Sequence, residues 1–298
     1  MIDPSLLTRA VLDGIHPIAS RLKPTAILAY AGTLEAADLL KVLTEKDWRL
    51  ILAVRDSTAA EAARKITSDV IEVPPFLFSR LGQIKIAVLV SLTRGVLKLG
   101  DVVLCVTGLA ESSVLDTIVL IEIGQEYEVI ANIEGAALPP DTSPEVFERV
   151  IELAEELALE GREGRSLGTI FVLGDADGVA GYCQQLVLNP FQGYEERERN
   201  ILDPHLEETI KEYANLDGAF VIRGDGVVLS AGTLLHSHQL KEPQEQGLGA
   251  RHAAAAAITA VTEAVALAIS QSTGDVRVYR SGHPLVVLEK PQARVRNA

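Results

Sequence analysis

Cysteine is scarce in this chain, with Cys105 and Cys183 as the two thiols among 298 residues. Both lie in apolar runs, so we expect free thiols in a reducing compartment rather than a disulfide. The N-terminal residues lack a basic stretch followed by an apolar one, which predicts no signal peptide and a cytoplasmic location. The stretch 253–270 is apolar but contains Glu263. An acid at a bilayer centre costs about 2.5–3.5 kcal/mol, so we interpret this stretch as a buried helix that runs into a strand.

Positive charge is also scarce, since 27 Lys and Arg oppose 41 Asp and Glu and give a net charge of −14. This balance argues against sequence-independent binding of nucleic acid and against docking on anionic lipid. An anionic substrate remains possible if local cations or a metal overcome the overall field. Hydrophobic residues make up 48% of the chain, which is enough to build buried cores in two domains.

The first 125 residues alternate between strand-like and helix-like segments. Strands are predicted at 26–30, 50–54, 71–73 and 101–106, and helices at 33–46, 58–66 and 78–97. The strands are apolar rather than alternating, with Asp101 as a polar first residue of the last one, and this pattern is typical of a parallel sheet covered on both faces.

One segment of this region, Lys98 to Gly124, resembles the end of the C-terminal α/β domain of pyruvate kinase. That family closes with a Gly-Asp-Val-Val strand, a Thr-Gly turn and a final strand, and the likeness extends over about Thr25 to Gly124. The resemblance implies a parallel-sheet α/β domain over residues 1–125 and supplies no catalytic residue. We hypothesise that this domain senses a ligand or organises an oligomer.

A turn-rich linker is predicted at residues 126–142, followed by a second domain at 143–298. Ser143 is suited to cap a helix that Pro144 begins and that runs to about Leu159. Further predicted elements are a strand at 168–173, a helix at 195–214 interrupted at Pro204, a hairpin over 218–231, a helix at 251–262, a strand at 264–269 and a hairpin at 276–288. The hairpin over 218–231 rests on an Asp-Gly turn between apolar runs.

Three segments of this domain stand out, namely 217–219 at the start of a strand, 247–252 before a helix and 270–274 at the end of a strand. The first two indicate chemistry by themselves. The segment 247–252 (GLGARH) precedes a helix, so free backbone N–H groups, Arg251 and His252 would converge on an anion. Asp217 precedes small residues at the start of a strand, where a carboxylate can hold a metal. The segment 247–252 alone is also consistent with an ordinary turn, and Asp217 alone with a surface residue that caps a strand.

In combination, these motifs resemble the diadenylate cyclase domain, particularly its archaeal type. The likeness rests on Asp217-Gly218-Ala219, on Gly232-Thr233 with Leu234, and on Gly249 to Ala253, with Gln185 to Phe191 upstream. It covers about Gly168 to Leu288 and implies a mixed-sheet α/β domain. Members of this family condense two ATP molecules into cyclic di-AMP and release two pyrophosphates, with two domains face to face in a homo-oligomer.

The resemblance also implies roles for individual residues. It assigns catalysis to Asp217, Arg251 and His252, and a divalent ion, Mg²⁺ or Mn²⁺, to Asp217. The expected substrate-binding residues are Gly218, Ala219, Gly232, Leu234, Gly249, Ala250 and Ser270.

The sequence departs from the family pattern at several of these positions. Ala250 stands where many members have threonine, Ala253 replaces a second arginine, and Gln271-Ser272 replaces an acidic pair. Glu263 and Asp225 are candidates for the missing carboxylate. These departures leave an alternative, a degenerate nucleotide receptor that binds ATP or cyclic di-AMP without turnover, and a third possibility, a purely structural oligomerisation module. The retention of Asp217, Arg251 and His252 favours an active enzyme.

Overall fold

The computed structural model describes residues 3–30, 48–108, 114–125, 138–162, 165–236 and 249–293. Contacts divide the chain into two units, one formed by Met1–Ile133 with Ala293–Ala298 and the other by Glu134–Gln292. Most of the predicted linker (126–137) and the predicted helix at 33–46 lie outside the described residues. Among the described helices, none combines the length and the apolar character that a bilayer span requires.

The first unit is built on a five-stranded sheet. Its elements are α1 (Pro4–Leu22), β1 (Ala26–Tyr30), β2 (Leu50–Val54), α2 (Ser57–Ala63), β3 (Asp69–Glu72), α3 (Arg80–Thr93), β4 (Val102–Gly108) and β5 (Leu115–Glu122). The strand order is β3-β2-β1-β4-β5, with parallel pairing except for the antiparallel edge strand β5. Every residue of β1 and β2 is buried, as their continuous apolar runs indicated.

Helix α1 was not predicted from the sequence, although its start carries a standard signal. The carboxylate of Asp3 accepts a hydrogen bond from the Ser5 backbone N–H at 3.0 Å and thereby caps the helix. Leu12, Ile15 and Ala19 of α1 are buried in one cluster with residues of β1, β2 and β4. This apolar face explains why the helix is stable despite Pro17 in its interior.

The second unit contains a seven-stranded mixed sheet. Its elements are α4 (Pro144–Glu160), β6 (Ile170–Leu173), α5 (Ala176–Ala180), β7 (Cys183–Gln185), α6 (Glu207–Tyr213), β8 (Ala219–Ile222), β9 (Val228–Leu235), α7 (Ala250–Val261), β10 (Val265–Ile269), β11 (Val276–Arg280) and β12 (His283–Leu288). The strand order is β12-β11-β10-β6-β8-β9-β7, in which β6 and β8 pair in parallel and the other pairs are antiparallel.

Helices α4 and α7 pack on this sheet. The hydroxyl of Ser143 caps α4 as predicted, because it accepts a hydrogen bond from the Val146 backbone N–H at 3.3 Å. Ala255 and Ile258 of α7 pack against alternate residues of β10. The stretch 253–270 is therefore a helix that leads into a buried strand, as predicted. Both cysteines are free, also as predicted.

The predicted helix over 195–214 is wrong for most of its length. The structure has 3₁₀ turns at Glu196–Arg199 and Pro204–Leu206, and only Glu207–Tyr213 is α-helical. Proline lacks a backbone N–H and so removes one helical hydrogen bond, which disfavours a continuous helix through Pro204. Asp203 instead caps a new turn, because its carboxylate accepts a hydrogen bond from the His205 backbone N–H at 3.0 Å.

Candidate active site

A cavity of about 550 Å³ lies at one edge of the mixed sheet. Across this edge Ile170 pairs with Ala268 on one side and with Ala219 on the other, and Ala219 pairs with Thr233. Strands β6 and β8 begin at this row, while β9 and β10 end just beyond it. The N-terminus of α7 also faces the cavity through Gly249 and Ala250. Four strand ends and one helix end therefore place their flanking residues around one space.

The cavity collects most of the residues that sequence analysis singled out. Nine of the ten predicted site residues line it, namely Asp217, Gly218, Ala219, Leu234, Gly249, Ala250, Arg251, His252 and Ser270. Gly232 is not among the lining residues, although its carbonyl accepts a hydrogen bond from the Leu186 N–H at 2.9 Å and Leu186 does line the cavity. The roles assigned to these residues stay predictions.

Gly218 brings two strands into unusually close contact. Its φ is +104°, a conformation that residues with a side chain rarely adopt. A Cβ at this position would lie 2.6 Å from the Thr233 backbone nitrogen and 2.7 Å from the Thr233 carbonyl oxygen. Glycine is thus required for the backbone after Asp217 to lie against β9.

The guanidinium of Arg251 lies between two side chains at the cavity wall. Its Nη2 is 3.5 Å from Oδ1 of Asp217, and its Nη1 donates to Oε1 of Gln271 at 3.3 Å. The Asp217 side chain is 91% exposed, so its carboxylate stays open to solvent and to a ligand. A Cβ at Gly168 would lie 3.1 Å from Nη1 of Arg251, so the absence of a side chain there leaves room for the guanidinium.

The start of α7 favours an anion. Gly249 occupies the N-cap position and has no side chain to satisfy the first backbone N–H groups, and the first turn contains no acidic residue. These groups carry the positive end of the helix dipole. Together with the Arg251 guanidinium they concentrate positive charge in a strongly acidic chain. Binding of an anion here stays a prediction.

His252 is largely buried, with 7% of its surface exposed. Burial lowers the pKa of its imidazole, and the nearby Arg277 and Arg251 lower it further, while Asp275 acts in the opposite direction. Its Nδ1 lies 3.2 Å from the hydroxyl of Tyr279. The imidazole is therefore held neutral near pH 7 with one ring nitrogen already in a hydrogen bond.

The loop after β10 contributes hydroxyl groups. The hydroxyls of Ser270 and Ser272 lie 3.2 Å apart, and both residues line the cavity. Ser270 Oγ also accepts a hydrogen bond from the Thr273 backbone N–H at 3.3 Å. Small hydroxyl groups at this point can bind phosphate oxygens or water.

Neither candidate for a second carboxylate lies at the cavity, so this part of the sequence analysis is wrong. Glu263 follows the far end of α7, about 18 Å from its start at 1.5 Å per residue, and pairs with Arg280 at 3.0 Å. Asp225 lies in the turn between β8 and β9 and pairs with Arg223 at 2.7 Å. Among the described residues, Asp217 is the single acid that lines the cavity.

This donor set fits a divalent cation that shares its coordination with a nucleotide. Mg²⁺ is usually bound by one or two carboxylates and completes its shell with phosphate oxygens and water. The exposed carboxylate of Asp217 can supply the first. No group of three potential metal ligands occurs in the described part of the chain.

Several lining residues, most of them apolar, received no role from the sequence. They are Ile170, Leu186, Thr233, Leu235, Ala254, Ile269, Gln271 and Ser272. Gln271 and Ser272 belong to the predicted segment 270–274, but the sequence assigns a binding role only to Ser270 of that segment. The alternation of β9 could have identified Thr233, but Leu186 is brought here by the pairing of β7 with β9, which the sequence does not reveal.

Comparisons with known proteins divide the chain in the same way. Residues 156–284 match the family model described as DisA bacterial checkpoint controller nucleotide-binding, and residues 10–129 match one described as a probable sensor domain, DacZ_P. A diadenylate cyclase of Methanocaldococcus jannaschii is 39% identical over 182 residues, which are 61% of this chain and 57% of that protein. One of Haloferax volcanii is 31% identical over 208 residues, which are 68% of this chain and 73% of that protein.

Among solved structures, a double mutant of DacA from Staphylococcus aureus aligns with a TM-score of 0.35 and 24% identity. The alignment covers 47% of this chain and 84% of that one, a similarity too low to support an inference about the fold.

The cavity and the first family model place the second unit in the class of nucleotide-binding α/β domains. The chain belongs to the diadenylate cyclase family, because it covers more than two thirds of the Haloferax protein at 31% identity. The predicted family, one of nucleotidyltransferases, is thereby confirmed. The pyruvate kinase likeness of the first unit is not confirmed, since residues 10–129 match a sensor-domain model.

Proposed function

We propose that this protein condenses two molecules of ATP into cyclic di-AMP and releases two pyrophosphates. The observation that carries the proposal is the pairing of the open Asp217 carboxylate with Arg251 at the N-terminus of α7, in one cavity of suitable size. Cavities of about 300–1,000 Å³ are typical of sites for one small ligand. The volume here therefore suits one nucleotide per chain.

The chemistry needs little beyond positioning and neutralisation of charge. The 3′-oxygen of one ATP attacks the α-phosphorus of the other, a new P–O bond forms, and the bond to the pyrophosphate oxygen breaks. The proton of the 3′-hydroxyl passes to a nearby proton acceptor. The 3′-oxygen of the second nucleotide then attacks the α-phosphorus of the first in the same way, which releases the second pyrophosphate and closes the ring. A divalent cation held by Asp217 would neutralise triphosphate charge, while Arg251 and the N–H groups of α7 bind phosphate oxygens.

The apolar lining gives the adenine ring of ATP a place to bind. Ile170, Leu186 and Leu234 line the cavity beside the polar groups. Because each cavity suits one ATP and each reaction joins two, two copies of the chain are required with their cavities facing each other. We therefore expect the rate per enzyme molecule to fall on dilution below the dissociation constant of the dimer.

The first unit is proposed to regulate this activity by sensing a ligand or by organising the oligomer. Its support is the family model that matches residues 10–129, whose description is that of a probable sensor domain. A fold like the C-terminal domain of pyruvate kinase remains part of this proposal. The four parallel strands and the antiparallel edge strand β5 are consistent with the strand–turn–strand closure that suggested it.

The test is incubation of the purified chain with ATP and either Mg²⁺ or Mn²⁺, with detection of cyclic di-AMP by mass spectrometry. Asp217→Asn should abolish the product and spare nucleotide binding, because it removes the carboxylate charge and keeps its shape. Asp177→Asn is the matched control, since Asp177 is an exposed acid of the same unit that does not line the cavity.

The alternative is a receptor that binds ATP or cyclic di-AMP without turnover. Its support is the replacement of an expected acidic pair by Gln271 and Ser272 in the cavity wall. Binding of ATP without product, with either metal, would favour the receptor over the cyclase. Failure to bind ATP in calorimetry would reject both and leave a structural role.

A further inference from the structure

Tyr279 connects the interior of the second unit to the candidate site. It lies on β11 with 1% of its surface exposed and packs among residues of α7 and β10, including Ala255 and Ala266. Its hydroxyl reaches Nδ1 of His252 at 3.2 Å, and the two rings have centroids 6.1 Å apart. The imidazole is thus held by a residue that does not itself line the cavity.

The direction of this hydrogen bond follows from the state of the imidazole. Burial and the charges of Arg277 and Arg251 keep His252 neutral, and Asp275 opposes them only in part. A neutral imidazole donates through one ring nitrogen and accepts through the other. The hydrogen bond at Nδ1 therefore decides what Nε2 presents.

The surroundings of the cavity decide between the two tautomers. Arg251 and the N–H groups at the start of α7 favour an anion, and an anion accepts hydrogen bonds without donating any. A lone pair on Nε2 would repel a phosphate oxygen, whereas an N–H there would bind it. A proton on Nε2 requires that Nδ1 accept, and so requires that the Tyr279 hydroxyl donate.

We propose that Tyr279 is a positioning residue, whose hydroxyl donates to Nδ1 of His252 and holds the proton on Nε2 as a donor to substrate phosphate. The proposal rests on the proposed function for the identity of the phosphate. It assigns to a tyrosine on β11 a part in the reaction that neither the motifs nor the comparisons with known proteins indicate.

A double-mutant cycle tests the proposal. Tyr279→Phe removes the donor and keeps the ring, so kcat/KM for ATP should fall about 3- to 10-fold, the usual value of one neutral hydrogen bond. His252→Gln supplies an amide N–H near the position of Nε2 without using Tyr279. In that background Tyr279→Phe should change kcat/KM by less than about 2-fold, because the two residues act as one unit. Equal losses in both backgrounds would mean that Tyr279 is merely structural and would overturn the proposal.

Nitrogen-15 NMR of the imidazole gives a readout that does not depend on activity. His252 should carry its proton on Nε2 near neutral pH, and Tyr279→Phe should shift the Nδ1 resonance toward that of a nitrogen without a hydrogen bond. Tyr182→Phe is the control, since Tyr182 is a partly buried tyrosine of the same apolar cluster and does not line the cavity. A proton on Nδ1 in the unaltered protein would overturn the proposal. A chain without cyclase activity would refute the proposed function and leave this measurement intact.

Discussion

Replacement of Gly218 by alanine tests the geometry of the candidate site directly. The added Cβ would lie 2.6 Å from the Thr233 nitrogen and 2.8 Å from the Gly232 carbonyl carbon, whereas ordinary contacts begin at 3.4 Å. These neighbours are backbone atoms of β9, so no side chain can rotate to make room. The strand pair must instead separate, or the backbone must leave its φ of +104°.

The cost follows from these two conflicts. Overpacking of this kind costs about 1–3 kcal/mol, and a positive φ adds about 1–2 kcal/mol for a residue with a Cβ. Gly218→Ala should therefore destabilise the second unit by about 2–5 kcal/mol. For a domain of this size each kcal/mol lowers the melting temperature by about 2–4 °C, which predicts a decrease of about 4–20 °C.

Differential scanning calorimetry measures this change in the transition of the second unit, and ATP titration measures the cavity. Gly181→Ala is the matched control, because its Cβ would meet its nearest neighbour, the Gly178 carbonyl oxygen, at an ordinary 3.7 Å. We expect Gly218→Ala to melt earlier and to bind ATP more weakly, and Gly181→Ala to change neither. If the two variants melted together, the close approach of Gly218 to β9 would be refuted.

Two buried ionisable side chains of the second unit, Glu155 and Lys211, give further predictions. Both carboxylate oxygens of Glu155 are buried without a described hydrogen bond, and burial, with the charge of Asp275, raises its pKa well above 4.5. The folded state thus binds this proton more tightly than the unfolded state does, so stability is lost as pH rises above about 4.5. Glu155→Gln should remove that loss of stability. The loss is about 1.4 kcal/mol for each tenfold difference in proton affinity between the folded and unfolded states. Urea unfolding at acidic and at neutral pH measures it. The Nζ of Lys211 lies 3.2 Å from Oε2 of the buried Glu156 and 2.9 Å from Oε1 of Glu207. Lys211→Met should therefore destabilise the unit by about 3–5 kcal/mol in the same assay. An unchanged urea midpoint would contradict the buried ion pair.

Local patterns were sufficient for most strands of both units, with β7 as an exception. The runs Ala26–Tyr30 and Leu50–Val54 were predicted with their observed bounds, because an apolar run of five residues has the length of a buried strand and is too short for a buried helix. The Asp-Gly turn likewise predicted the β8–β9 hairpin, which the structure contains. These elements depend on short-range chemistry, and the sequence carries that chemistry in full.

Elements that depend on tertiary contacts were less predictable. Residues 195–214 have a helical composition, and Glu195 and Glu198 even form a capping box, yet the chain makes 3₁₀ turns there. Helix α1 is the opposite case, because its stability comes from burial against strands that lie far away in sequence. Propensity is a weak signal wherever packing decides between alternatives.

The candidate site shows the same division. Asp217, Gly218 and Arg251 were found because each belongs to a motif at the end of a strand or the start of a helix. Tyr279 and Gly168 were not found, because their contacts with His252 and Arg251 depend on how β10, β11 and α7 pack together. Residues that support a site from another element leave no local pattern.

The replacement of an acid by Gln271 is consistent with binding of a triphosphate. Arg251 already faces one carboxylate, Asp217, and its second contact is the neutral amide of Gln271. A second acid at this position would cancel the guanidinium charge in a chain whose net charge is already −14. Under the proposed function, the amide would keep the cavity wall attractive to phosphate. It also concentrates the carboxylate chemistry of the described cavity in Asp217, which is why Asp217→Asn is expected to abolish product formation while binding survives.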